Sequence, residues 1–336
     1  MRAYLPAMAV VCLLSSGMAG AAETVFVRDA AQLTAAIAGA RPGATILIAP
    51  GRYAVKMRFT PMNSGTQDAP VLVASRDGPG TVVIDGAGAD ITVKFTGASH
   101  IRLEGMDITG GGYHGVFFDN GAHSITVNGN RIYDNFSVAP MDSHAELKGS
   151  GPAEKHPHHI AITNNEIFHT SHPPGGNFQG IDCNFCDDFF IAGNYLHDIR
   201  EPASEPFSHY DRGSCIQMKS ASRNVLIEHN RIARCHIGIV YGGEGISSPE
   251  HIGGMVRDNL IHDSTEIGIA AVNVTGGKIF RNILWSNGVN ILVARDVRNP
   301  HSQNSVEIAE NTLEGPVRIL DKSDKVTLRD NREIRQ

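Results

Sequence analysis

An asparagine that recurs in one local setting constrains this chain more than any other feature. It follows a short apolar run and precedes Ile or Leu by two positions. The cases are Asn130-Arg-Ile, Asn165-Glu-Ile, Asn194-Tyr-Leu, Asn230-Arg-Ile, Asn259-Leu-Ile, Asn282-Ile-Leu and Asn311-Thr-Leu, with Asn331 a degenerate last member. A second mark, Gly-Ile or Gly-Val, falls at Gly115, Gly180, Gly238 and Gly268. The closest marks repeat at roughly 23 residues, a solenoid period. Between them lie short β-branched runs broken by Gly, Asn, Asp and Ser, which read as strands and turns. One such coil cannot bury its own apolar face, whereas stacked coils can. Asn at a fixed bend tolerates left-handed backbone and bonds to neighbouring groups. The pattern predicts an all-β, single-stranded parallel β-helix, right-handed because parallel crossovers are.

The address is read from the N-terminus. Met1-Arg2, an apolar run from Ala7 to Leu14, and small residues to Ala22 form a secretory signal peptide over residues 1–22. The run is too short to span a membrane. The mature domain is then 23–336, a secreted or periplasmic protein and a monomer. A net charge of −6 gives no bulk attraction to nucleic acid. Four cysteines remain: Cys183, Cys186, Cys215 and Cys235. An oxidising compartment permits disulfides among them, in three pairings. Cys183-Asn-Phe-Cys186 also has redox or zinc spacing, but no second pair matches it, and buried apolar cysteines are the simpler reading.

Asp29 caps a short amphipathic helix, Ala30 to Ala38, with Leu33 and Ile37 on one face. Pro42-Gly-Ala-Thr-Ile-Leu-Ile-Ala-Pro-Gly-Arg-Tyr53 follows it. This opening resembles that of the pectate-lyase-like β-helix superfamily, which implies that the helix plugs the first coil. Gly80-Thr-Val-Val-Ile-Asp-Gly86, after Ala69-Pro-Val-Leu-Val, is similar to the early coils of the alginate lyase and chondroitinase B family.

Three insertions leave one corner of the coil: Ser137 to His159, one holding His169 and His172, and one running from Arg200 to Gly213. Long loops on a rigid scaffold are where binding tends to sit. A fourth, Gly242 to Gly254, leaves another corner as an opposite wall. Strand alternation turns Phe117, Asp182, Gln217, Val240 and Ala270 outward, then Asp119, Asn184, Lys219, Gly242 and Val272. Asp182, Asn184, Gln217 and Lys219 form a local polar patch. His169 and His172 are candidates to overhang it as substrate-binding groups. His144, His156, His158 and His159 are considered as metal ligands, but loop histidines at such spacing do not define a site, so no metal site is assigned.

Three chemistries are weighed. Ile216-Gln-Met-Lys-Ser-Ala-Ser resembles the coil that carries the catalytic lysine of the alginate lyase family. That resemblance implies β-elimination in a uronic-acid polysaccharide: Lys219 the base, Arg212 the neutralising cation, His209 or Tyr210 the proton donor. A lysine acts as base where burial or cations favour its neutral form. The family's acidic calcium ligands fall on Arg212 and Ser214, so the resemblance leaves the cofactor unknown, with Ca²⁺ unmatched. The second reading is a binding or accessory surface protein for the same polymer, without catalysis. The third is a glycoside hydrolase: Asn177-Phe-Gln-Gly-Ile-Asp182 resembles a polygalacturonase segment, but Gln179 and Gly213-Ser214 stand where that family has acids.

Overall fold

The computed structural model describes residues 23–336 apart from 137–143, 153, 174–176, 201–212, 244–246, 248, 297–298, 300–301, 322–323 and 335–336. Among these residues the strands form three sheets, of 10, 14 and 11 strands, which we call the front, side and back sheets. Every strand pairing in them is parallel, as in His144–Gly149 with Phe178–Asn184 and Phe178–Asn184 with Ser214–Lys219. Each coil runs front, side, back. One example is His144–Gly149, His158–Thr163 and Glu166–Phe168, before the next front strand Phe178–Asn184. The fold is the expected right-handed parallel β-helix.

The helix spans Ala30–Gly39. The Asp29 carboxylate accepts from the Gln32 N–H at 2.8 Å, satisfying one of the donors that a helix start leaves open. Leu33 and Ile37 are buried against the first coil. Asn63 ties the helix end to the stack by donating to Ile37 O at 3.0 Å.

The asparagines stack as a ladder at the turn between side and back sheets. Asn194 donates to Asn230 Oδ1 at 3.0 Å and to Ile162 O at 2.8 Å. Its own Oδ1 accepts the Asn165 backbone N–H at 2.9 Å and the Asn165 side chain at 3.0 Å. The same pattern links Asn130 to Asn165 and continues from Asn230 through Asn259, Asn282 and Asn311 to Asn331. The left-handed residue is the one before each ladder asparagine: Asn164 (φ 54°), His229 (54°), Asp258 (54°) or a glycine such as Gly193 (67°). The asparagines are therefore selected for hydrogen bonding, not for left-handed backbone.

The Gly-Ile mark has a packing cause. A Cβ on Gly180 would lie 2.7 Å from Ile199 Cδ1 and 2.6 Å from Cys215 O, so the inner corner admits only hydrogen there. Four coils carry another residue at this position, Thr92, Glu146, Cys215 and Asn290, and the Glu146 coil is unmarked in the sequence. The segment expected to be a single insertion, 137–159, contains a whole front strand, His144–Gly149. Register places Glu146 opposite Gly115 and Gly180. Its carboxylate fills the corner by accepting from Asn135 N (3.1 Å) and Asn135 Nδ2 (2.6 Å).

The cysteines pair as Cys183–Cys186 and Cys215–Cys235, all four buried. They offer no thiolate to a metal.

Removing one ladder member leaves buried donors unpaired. Asn194→Ala is expected to cost at least about 2 kcal/mol, since each orphaned buried polar group costs about 1–3 kcal/mol. Urea denaturation followed by circular dichroism checks this. An unchanged midpoint would show that the ladder is incidental to stability.

Candidate functional site

Each front strand alternates inward and outward side chains, so register builds the site. Lys148, Asp182 and Gln217 are consecutive rungs of one outward column. Asn184 and Lys219 are rungs of the column beside it. Two strand spacings across and two residues along put Lys148 and Lys219 about 12 Å apart at the backbone, with Asp182 on the rung between them. Asp182 and Gln217 are fully buried, Lys148 and Lys219 nearly so, and Asn184 half-buried.

The ion pair of this patch joins Asp182 to Lys148, a residue absent from the sequence-based patch, rather than to Lys219. Burial alone would push the Asp182 carboxyl up. The charges of Lys148 and then Lys219 outweigh burial and hold it below its ordinary value. His114 faces Lys148 and Asp182. Burial, reinforced by Lys148, lowers its pKa to about 3, so its ring is neutral near pH 7. Its Nδ1 accepts from the Ala145 N–H at 3.2 Å, which puts the ring proton on Nε2. His114 is therefore a neutral donor beside the Lys148–Asp182 pair.

The far side of Lys219 is bounded by the connection that leaves the front strand Ile237–Gly242. Gly243 packs against both Gln217 and Lys219, since a Cβ there would lie 3.1 Å from Gln217 Nε2 and 3.3 Å from Lys219 Cβ. Glu250 in the same connection accepts from the N–H groups of Ser220 (2.5 Å) and Ser247 (2.7 Å). Burial raises its pKa, and those two bonds and Lys219 oppose the rise. This connection does leave from the other corner, as expected for an opposite wall.

The remaining candidates separate. His169 is turned into the corner, where its Nε2 lies 3.2 Å from buried Glu146 and its ring meets Phe136 and Phe178. It plugs the coil and does not overhang the patch. His172 is exposed, with Nδ1 at 3.3 Å from Arg200 O. Arg212, His209 and Tyr210 lie outside the described residues.

The four insertion histidines do not converge. His144 is buried in a front strand, His156 pairs with Asp187 at 3.1 Å, and His158 meets His159 at 2.7 Å. Among the described residues no three His, Cys, Asp or Glu side chains are placed to hold a metal. Among the described residues the patch holds no set of ligands for calcium. Its carboxylate, Asp182, is engaged by a lysine, and Glu250 is committed to backbone donors.

Sequence reasoning missed Lys148, Glu146 and His114. One signal was available: Gly115 and Gly180 are nearly twice as far apart as Gly180 and Cys215, which leaves room for an unmarked coil.

No family model matches the chain, and no curated protein matches it. Solved structures do. An alginate lyase from Paenibacillus sp. str. FPU-7 aligns with a TM-score of 0.60 and 17% identity, over 93% of this chain and 96% of that one. A polygalacturonase from Erwinia carotovora ssp. carotovora aligns with a TM-score of 0.60 and 13% identity, over 93% of each chain. The pectate lyase Pel9A aligns at 0.50 with 15% identity, over 86% of this chain and 72% of that one. At these identities the likeness is one of fold. The chain has the right-handed parallel β-helix fold that these structures share.

A carboxyl whose folded-state pKa lies below its unfolded value adds stability above the unfolded pKa and loses it as pH falls through the folded one. Asp182→Asn is expected to cost about 3–5 kcal/mol near neutral pH, because it leaves Lys148 buried without its carboxylate. The gap to the wild type should begin to close below about pH 4. Denaturation midpoints across that range test this. A gap of constant size would mean that Asp182 is not held ionised by the lysines.

Proposed function

We propose that the protein binds an acidic polysaccharide on the front sheet and cleaves it by β-elimination. The observation that carries this reading is the outward set Lys148, Asp182 and Lys219, whose two cations bracket one ionised carboxylate. Such a set suits a polymer that presents a carboxylate on each unit. The similarity in fold to structures described as an alginate lyase, a pectate lyase and a polygalacturonase supports the same substrate class.

In this reading the Lys219 ammonium first gives up a proton to solvent, and its neutral Nζ then takes the C5 proton of a uronate. Electrons of that C–H bond form the C4=C5 double bond, the C4–O bond breaks, and the departing oxygen gains a proton. Lys148 exchanges part of its contact with Asp182 for the substrate carboxylate, whose charge it offsets as negative character builds at C5. His114 donates through Nε2 and does not act as an acid, since it carries no second proton at neutral pH. Arg212, with His209 or Tyr210, remains proposed for carboxylate neutralisation and proton donation. The positive charge that Lys219 exerts on Asp182 favours a second reading, in which the same patch binds without proton transfer. We also infer export, supported by two disulfides and by the leader-like residues 1–22.

The purified protein is to be offered alginate, polygalacturonate, chondroitin, heparin and gellan. Absorbance of the unsaturated product reports elimination, and reducing ends report any cleavage. One polymer should raise both signals together. Lys219→Ala should lower that rate by about 10²–10⁴-fold, the usual contribution of a general base. Full activity in Lys219→Ala, or reducing ends without absorbance, would overturn the mechanism. Binding without either signal would establish the second reading.

A further inference from the structure

The two directions along the front sheet from Lys219 are unlike. Toward the C-terminal coils, the outward column continues from Gln217 through Val240, Ala270 and Leu292. These side chains point away from the solenoid interior, yet they are buried, in an apolar cluster separate from the main core. The connections beyond Gly242 and Ala294 are tied together at this end. Ser247 O accepts from Asn299 Nδ2 at 3.3 Å and from Asn273 Nδ2 at 3.1 Å. With Gly243 against Lys219, the chain itself occupies the surface that a polymer would need to continue past that rung.

Toward the N-terminal coils the same column is buried at Asp182 and Lys148 and becomes exposed beyond them. Register carries it from Lys148 to Phe117, Lys94 and Arg58. Arg58 is exposed, and Phe117 is half-buried. The Lys94 side chain is 29% exposed. Lys94 reaches Asp119 at 2.8 Å and lies 5.3 Å from the centre of the Phe117 ring. His114 stacks on the other part of this arrangement, 5.3 Å from the same ring at 12°. Cations therefore recur on the open side every one to two rungs, at about 4.8 Å per rung. On the closed side, Val240, Ala270 and Leu292 carry no charge at all.

We infer that a polyuronate binds with one chain end at Lys219 and its body over Lys148, Phe117 and Lys94, so that the protein reads chain ends and not chain middles. This rests on the polysaccharide reading given above and adds its direction and mode. A groove open at both ends would admit a polymer anywhere along its length. A groove stopped by its own outward apolar cluster admits only a terminus. Phe117 supplies an apolar face for a sugar ring, and Lys94 supplies a counter-charge to a carboxylate remote from the bond that breaks.

The test is calorimetric titration of size-fractionated alginate and polygalacturonate. It uses Lys219→Arg, which keeps the charge at the patch while removing the proposed base, with the wild type in parallel. The expected result is one protein bound per polymer chain in short and long fractions alike. Lys94→Ala should weaken the longer fractions by about fivefold, the size of a partly exposed charge contact, and leave a disaccharide unaffected. Stoichiometry that rises with chain length, or equal effects of Lys94→Ala on disaccharide and polymer, would overturn the chain-end mode while leaving acidic-polysaccharide binding intact. Absence of binding to every fraction by the wild type would remove the polysaccharide reading and this inference with it.

Discussion

Everything in this protein depends on keeping each coil in register with the next. A parallel β-helix offers no closed layer and no second sheet packed face to face. Its interior is continuous only if every inward side chain meets its counterpart one rung away. Backbone pairing supplies attraction between coils, but a slip along the strand direction would keep much of that pairing. The asparagine ladder penalises such a slip. Each ladder side chain bonds both to the next asparagine and to a backbone carbonyl on the coil before its own, as Asn194 does with Asn230 and Ile162. A displaced coil would leave these buried groups without partners, a cost on the order of the stability of a small domain.

The same regularity makes the candidate site. A solenoid has no cleft by default, so chemistry must be assembled from outward side chains that register brings together. Lys148, Asp182 and Lys219 come from three successive front strands. The buried ion pair fixes Lys148 and Asp182 relative to each other. The disulfides Cys183–Cys186 and Cys215–Cys235 each hold a residue of the two strands that carry Asp182 and Lys219. Rigidity is thus concentrated in the coils that carry the polar patch. The apolar stop beyond Lys219 then gives the surface a direction, which neither column would have alone.

Legibility followed the physical origin of each feature. The helix cap at Asp29 was readable because capping acts over three residues. The ladder positions were readable because each coil repeats the same demand. Of the two reasons read for the asparagine, hydrogen bonding to neighbouring groups holds, whereas left-handed backbone does not, since the left-handed residue is the one before it. The strand His144–Gly149 was hidden because Glu146 replaces the glycine that marks its neighbours. With that strand went Lys148, and with Lys148 the true partner of Asp182. His169 was misplaced for a related reason. Its partner, Glu146, points into a corner to which the front-strand glycines of the neighbouring coils contribute no side chain of their own.

By itself, the sequence determined the architecture: a coiled all-β stack with a helical plug, and Lys219 facing outward beside Asn184. Those properties follow from local alternation and from a repeat that states the same requirement many times. Only the tertiary structure decided which cation holds Asp182, which histidine is neutral beside it, which cysteines join, and on which side of Lys219 the surface is closed. These depend on pairing between segments tens of residues apart and on connections folding back over the sheet. Neither is periodic, so neither leaves a signature in the order of residues alone.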